Sequence, residues 1–343
     1  MTTQQQNQPP QAILETPTKP LLLPEHNPRN HNFFGIFALA LIFVASGAFT
    51  FAFFIDQTRA ERVQEQSIAV EEAVNDPFAF VTLIARNAYV KDLATGKTLY
   101  ALDADAARPL ASLTKVMTAL TVAQVLPLES TITIPFDTSA LGSAERLGKG
   151  QVWRVDRIID FTLIASSNAG ASILAQAANE SIRARYPQAP HTSKQSATIW
   201  RMNDIARELG LSSMSFANPS GLDEDTVTAG AYGSARDVAA LFAYIASTSP
   251  EIFAGTTQNS MVLYSENGVK TSAFNTDTAL DTIPGIVMGK TGYTDLAKGN
   301  LAIVFEIGPS HPVVAVVLGS TLQGRFEDMQ KLIKASTEAV GLR

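Results

Sequence analysis

The longest apolar stretch of the chain runs from Phe33 to Ile55 without a charged residue, whereas apolar positions elsewhere come in shorter, periodic groups. As a helix rising about 1.5 Å per residue, this stretch reaches roughly 35 Å and can cross a bilayer. The pattern predicts a transmembrane anchor over residues 33–55. A cleaved signal peptide would have an apolar region of only about 7–15 residues, nearer the N-terminus. Residues 1–32, rich in Gln, Asn and Pro, read as a disordered tail. Residues 56–77 are polar and Glu-rich and read as a helical stalk that stops at Pro77, because proline disfavours helix in the residue before it. Lys19 and Arg29 on one side of the apolar stretch are matched by Arg59 and Arg62 on the other, so charge does not orient it.

From residue 78 to 343 the pattern is that of one folded domain. Two β-like runs around Ala94-Thr95-Gly96 predict a hairpin over Asn87–Leu102. Leu, Val, Met and Ala at helical spacing over Ser112–Leu126 predict a buried helix, and further helices are expected at Ile158–Ser181, Ala197–Leu209 and Ser234–Ser247. The period then changes. Gly285–Met288, Leu301–Ile307 and Val313–Leu318 are short apolar runs separated by Gly, Pro and Ser, followed by a helix towards Arg343. Helices enclosed between β-runs from both ends of the domain predict an α/β sandwich.

Composition narrows the function. Hydrophobic residues make up 46% and charged ones 17%, and the net charge is −6, so there is no global basic field for nucleic acid. Mean hydropathy is +0.09, too low for a polytopic transporter. The absence of cysteine removes disulfides, thiolate metal sites and a cysteine nucleophile. The four histidines, His26, His31, His191 and His311, are too scattered for a His-rich metal centre. No metal or cofactor is expected.

Three short segments can carry chemistry. Ser112-Leu113-Thr114-Lys115 places a hydroxyl and an amine one helical turn apart, on one face and near the free N–H groups of a helix start. A lysine base must lose its proton near neutral pH, which burial and a second cation favour. Taken alone, the same letters describe a helix cap followed by a solvated lysine. Ser166-Ser167-Asn168 lies in a small, apolar, helical stretch and on its own reads as a turn or cap. Lys290-Thr291-Gly292 follows an apolar β-run; its glycine would let a peptide-like substrate approach the backbone closely, or simply mark a turn. Occurring in this order, the three are far less probable by chance than any one of them.

Together with Leu110–Ala119, Asn218–Asp223, Tyr232–Asp237 and Gly289–Asp295, these segments make the chain from about Phe78 to Arg325 resemble the low-molecular-mass D-alanyl-D-alanine carboxypeptidases. These serine-type penicillin-binding proteins have an antiparallel sheet flanked by helices, as in the β-lactamases. The resemblance implies Ser112 as acylating nucleophile, Lys115 as its base, Ser166 as proton relay and Asn168 as holder of Lys115 and the substrate amide. It further implies that Lys290 keeps the site electropositive, that Thr291 receives a terminal carboxylate with help from Arg325, that Gly292 gives the strand its open edge, and that the backbone N–H groups of Ser112 and Tyr293 form the oxyanion hole. The implied partners are a peptidoglycan stem peptide, β-lactams as covalent inhibitors and a bilayer through residues 33–55, with the catalytic domain on the extracytoplasmic side. Ser167 and Ala169 stand where the family usually has Gly and Asp, and Asn275-Thr276-Asp277 only partly matches a family segment. The chain ends one predicted helix after the last β-run, so the β-rich C-terminal domain and amphipathic helix of many relatives are expected to be missing.

Other readings carry less. Gly285–Thr291 is one residue short of a phosphate loop and is not followed by a helix. His191 and His311 sit in polar or Pro-flanked turns expected to face solvent, which leaves a Ser-His-Asp triad without its histidine. Trp153 and Trp200 read as core or groove aromatics. The rivals to a carboxypeptidase are a DD-endopeptidase or a serine β-lactamase using the same site, and a catalytically silent wall-binding protein suggested by Ser167 and Ala169.

Overall fold

The computed structural model describes residues 39, 43–44, 46–47, 49–64, 76–137, 147–191 and 196–341, in two compact units, 1–71 and 72–343. The tail over residues 1–32 and most of the stalk, residues 65–75, lie outside the described residues. In the first unit residues 49–64 are helical, and Phe49, Phe51, Phe53, Phe54 and Ile55 are all exposed. Among the described residues no single helix is long and apolar enough to cross a membrane.

The second unit is built on a five-stranded antiparallel sheet of β1 (Asn87–Asp92), β2 (Thr98–Leu102), β3 (Ile286–Thr294), β4 (Lys298–Glu306) and β5 (Pro312–Ser320). The order across the sheet is β3-β4-β5-β1-β2, so the first strand of the unit pairs with the last, Asn87 opposite Leu318 and Asp92 opposite Val313. The unbroken apolar runs of β4 and β5 follow from burial on both faces. Val313, Ala315 and Val317 pack with Phe326, Met329, Leu332 and Ile333 of α6 (Gly324–Gly341). The alternate residues, Val314, Val316 and Leu318, join the core containing Val238, Leu241 and Phe242 of α5 (Ala235–Thr248). Each such aliphatic side chain stabilises the unit by about 1.5–3 kcal/mol when fully buried.

The rest of the unit is a helical layer around α1 (Thr114–Ala123), in which every residue from Thr114 to Val122 is buried. It includes α2 (Val155–Ile164), α3 (Asn168–Arg185) and α4 (Ala197–Glu208). The expected hairpin forms, turning at Gly96 with φ +77. Trp153 is a fully buried core residue.

Three expectations need correction. The single helix expected over Ile158–Ser181 is two helices, α2 and α3, broken at Ser166, whose φ of +56 cannot continue a right-handed helix. The polar Ser166-Ser167-Asn168 is itself a turn or cap signal, which the helical spacing of the apolar residues on either side overrides. The β-run expected to end at Met288 continues to Thr294 and carries Lys290-Thr291-Gly292 within the strand, because β4 pairs with it as far as Lys298. His311 does not face solvent freely: its Nε2 lies 3.1 Å from Oδ1 of the buried Asp92.

Candidate active site

Ser112 sits in a single 3-10 turn, Ala111–Leu113, that leads into α1, so the helix starts two residues later than its apolar pattern suggests. Ala111 just before it has φ +48, a left-handed conformation costing a non-glycine residue about 1–2 kcal/mol. The surroundings impose that strain. Asn300 on β4, fully buried, donates to Pro109 O at 3.0 Å and Leu110 O at 3.1 Å, while its own Oδ1 accepts from Gly319 N at 2.9 Å. From the other side Gly221, φ +77, packs so closely that a Cβ there would lie 1.9 Å from Ala111 O. Thr114 Oγ1 donates to that same carbonyl at 2.7 Å.

One turn along α1, Lys115 is fully buried and its Nζ donates to Ser112 Oγ at 2.7 Å, Asn168 Oδ1 at 2.8 Å and Ser220 O at 2.9 Å. Three acceptors match the three protons of an ammonium. In the neutral amine a lone pair replaces one proton, and the serine hydroxyl can then donate to it. Ser220 O is presented by a loop whose Asn218 Oδ1 accepts from Ser220 N at 3.2 Å and Gly221 N at 2.7 Å.

The α2–α3 break brings in the second hydroxyl. Ser166 Oγ accepts from Lys290 Nζ at 2.9 Å, and Lys290 also donates to Thr291 O at 3.0 Å. Lys290 is buried, and burial, with the charges of Lys115 and Arg325, holds its pKa well below the ordinary lysine value; Asp277 opposes this. Coulomb repulsion is reciprocal, so proton loss from either lysine relieves both. Ser167, between the two functional residues, caps α3 by accepting from Gly170 N at 2.8 Å. The departure from the family pattern at Ser167 therefore serves the helix end and leaves the contacts of Ser166 and Asn168 intact.

β3 forms the opposite wall. Thr291 Oγ1 lies 2.6 Å from Thr276 Oγ1, and Thr276 N donates to Ile164 O at 3.2 Å, tying the strand to the end of α2. Gly292 has a second reason to lack a side chain. A Cβ there would lie 3.0 Å from Leu110 O and 3.2 Å from both Ala111 Cβ and Ser112 N, so the backbone that approaches the strand is the chain's own nucleophile turn. Tyr293 is half-exposed beside it, and Thr294 Oγ1 donates to Asp223 Oδ1 at 2.9 Å. Arg325 is not a surface residue: it is buried and donates from Nη1 to Gly292 O at 2.8 Å.

The structure thus links Ser112, Lys115 and Asn168 in one hydrogen-bonded set and Ser166 and Lys290 in a second, and it places Thr291 and Gly292 on β3 with Arg325 of α6 bonded to the Gly292 carbonyl. Asn300 was not singled out by sequence reasoning, and Thr276 and Ser220 were noted only as members of the Asn275-Thr276-Asp277 and Asn218–Asp223 segments. A buried asparagine and a backbone acceptor carry no motif of their own. Among the described residues no group of three His, Cys, Asp or Glu could hold a metal ion.

Comparison with known proteins fits this geometry. Residues 71–321 match the family model described as D-alanyl-D-alanine carboxypeptidase. The chain is 28% identical over 236 residues to D-alanyl-D-alanine carboxypeptidase DacB2 of Mycobacterium tuberculosis, covering 68% of this chain and 75% of that protein. It is 31% identical over 243 residues to a D-alanyl-D-alanine endopeptidase of Pseudomonas aeruginosa, covering 69% and 71% respectively. The ampicillin-bound crystal structure of penicillin-binding protein D2 from Listeria monocytogenes superposes with a TM-score of 0.60 at 26% identity, covering 74% of this chain and 98% of that one.

Proposed function

The chain belongs to the D-alanyl-D-alanine carboxypeptidase family and is a serine peptidase, and from that premise we propose that it removes the terminal D-alanine of peptidoglycan stem peptides through an acyl-enzyme on Ser112. The observation that carries this reading is the 2.7 Å contact between Nζ of the buried Lys115 and Ser112 Oγ, with Asn168 on the same amine. With Lys115 neutral, Ser112 Oγ attacks the carbonyl carbon of the penultimate D-alanine while its proton passes to Nζ. The backbone N–H groups of Ser112 and Tyr293 receive the oxyanion; one such donor is worth about 10²–10³ in kcat. The C–N bond then breaks as the proton taken up by Lys115 passes through Ser166 to the leaving amine, which leaves Lys115 neutral again, while Lys290, 2.9 Å from Ser166 Oγ, keeps the site electropositive. Thr291, with Arg325 behind Gly292, receives the terminal carboxylate. Water next attacks the ester with Lys115 as base and regenerates the serine.

β-lactams, which present a strained amide and a carboxylate to the same groups, acylate Ser112. Residues 33–55, uncharged throughout, anchor the chain in the bilayer, with the peptidase unit on the extracytoplasmic side where its substrate lies. The test uses the full chain in detergent. D-alanine release from a pentapeptide ending in D-Ala-D-Ala and covalent labelling by a fluorescent penicillin are both expected, and both are lost in Ser112→Ala. Unchanged labelling of Ser112→Ala refutes the assignment, and labelling-free wild type supports the silent binding protein. Because a relative is named an endopeptidase, crosslinked dimers are offered beside the pentapeptide, and preferential cleavage of the dimer establishes that alternative.

A further inference from the structure

The end of the cleft that receives the carboxylate contains a buried acid. Asp277 follows Thr276, whose hydroxyl touches Thr291, and it is held in a turn in which its N–H donates to Asn275 Oδ1 at 2.9 Å and its Oδ1 accepts from Ala279 N at 3.0 Å. Its side chain is only 4% exposed, and its Oδ2 makes no hydrogen bond among the described residues; nor does Nε of the equally buried Arg325. The charged groups acting on the carboxyl are Arg325 from α6 and Lys290 from β3. An anion has therefore been built into the cluster that must attract the anionic end of the substrate.

We propose that Asp277 is a positioning residue that sets how tightly this cleft holds a substrate's terminal carboxylate, its negative charge offsetting the pull of Lys290 and Arg325. The inference rests on the reading that Thr291 and Arg325 receive that carboxylate. Burial raises the pKa of the acid above the usual carboxylate value, against the lowering effects of Ala279 N–H, Arg325 and Lys290. Below its titration the acid is neutral and the two cations act undiminished on the ligand. Above it the acid is charged, so binding of a carboxylate-ended peptide weakens as pH rises through that titration. A peptide ending in a carboxamide carries no charge and escapes the effect.

The test measures equilibrium binding to the full chain carrying Ser112→Ala, which prevents turnover, using an acylated D-Ala-D-Ala peptide and its terminal carboxamide from about pH 4 to pH 8. With Asp277 present, affinity for the carboxylate peptide falls with pH across the acid's titration. In the Asp277→Asn variant that step is absent, and affinity at neutral pH is about tenfold higher, with carboxamide binding unchanged. Lys290, whose own pKa is held low, faces the same ligand and its loss of charge would also weaken carboxylate binding, so a step retained in Asp277→Asn overturns the inference; should that variant fold poorly, Asp277→Glu keeps the charge and is expected to keep the step. Equal affinity of the two proteins for the carboxylate peptide, a pH step shared by the carboxamide, or no step at all overturns the inference. If both peptides bind Asp277 protein equally at every pH, the carboxylate-receiving role of Thr291 and Arg325 fails as well. D-alanine release by the wild type judges the wider functional reading separately.

Discussion

Gly292→Ala puts the contact between β3 and the nucleophile turn to a direct test. The added methyl would lie 3.0 Å from Leu110 O and 3.2 Å from Ala111 Cβ and Ser112 N, tighter than ordinary van der Waals contact. None of these atoms is the end of a flexible side chain. The turn is clamped by Asn300 on the carbonyls of Pro109 and Leu110 and by Gly221 against Ala111, so strand and turn must separate by a few tenths of an ångström. Overpacking of this kind costs about 1–3 kcal/mol, and each kcal/mol lowers the Tm of a unit this large by about 2–4 °C. Catalysis is more sensitive. Misplacing a reacting group by about 1 Å can cost 10²-fold, so a shift of a few tenths corresponds to about a three- to tenfold slower acylation. Rates of labelling by fluorescent penicillin and of D-alanine release, read beside a thermal melt, measure both effects. Unchanged acylation with an unchanged Tm refutes the close packing. A rise in KM alone, with kcat intact, instead returns Gly292 to the role of making room for substrate.

Three further outcomes are expected. Because the pKa of Lys290 in the folded protein is well below that of a free lysine, the unfolded chain binds more protons between the two values, and stability rises with pH across that window. Lys290→Met removes this slope from denaturant unfolding measured between about pH 7 and 10, and parallel slopes for the two proteins refute the depression. Ser167→Ala lowers stability by about 1 kcal/mol through loss of the α3 cap, whereas Ser167→Gly costs only a few tenths and leaves penicillin labelling unchanged; a large loss of labelling in the glycine variant refutes the purely structural role of Ser167. Asn300→Leu strands the Pro109 and Leu110 carbonyls. Melting is expected to show about 2–3 kcal/mol of lost stability and labelling a slower acylation, while a wild-type rate refutes the role of Asn300 in holding the turn.

Local and periodic information was legible along the chain. The hairpin turning at Gly96 and the double-sided burial of β4 and β5 follow from features that neighbouring residues share. So does the one-turn spacing that places Lys115 beside Ser112. The order of the Ser-Lys, Ser-Asn and Lys-Thr-Gly segments named the chemistry. It did not show how the segments meet. Asn168 and the Ser220 carbonyl reach Lys115 from 53 and 105 residues away, a closure that depends on how α1, α3 and the loop at Asn218–Asp223 pack. The turn or cap signal of Ser166-Ser167-Asn168 was outweighed by the apolar residues at helical spacing on either side, and only the packed state holds Ser166 at positive φ. Gly292 shows the same division. Its lack of a side chain was plain in the sequence and suggested room for a ligand, whereas the close approach of Leu110–Ser112 to the same position was not legible there. Short-range preferences are set by a residue's own chemistry and that of its neighbours, whereas burial, charge neighbours and close approaches belong to pairs that only the folded chain brings into contact.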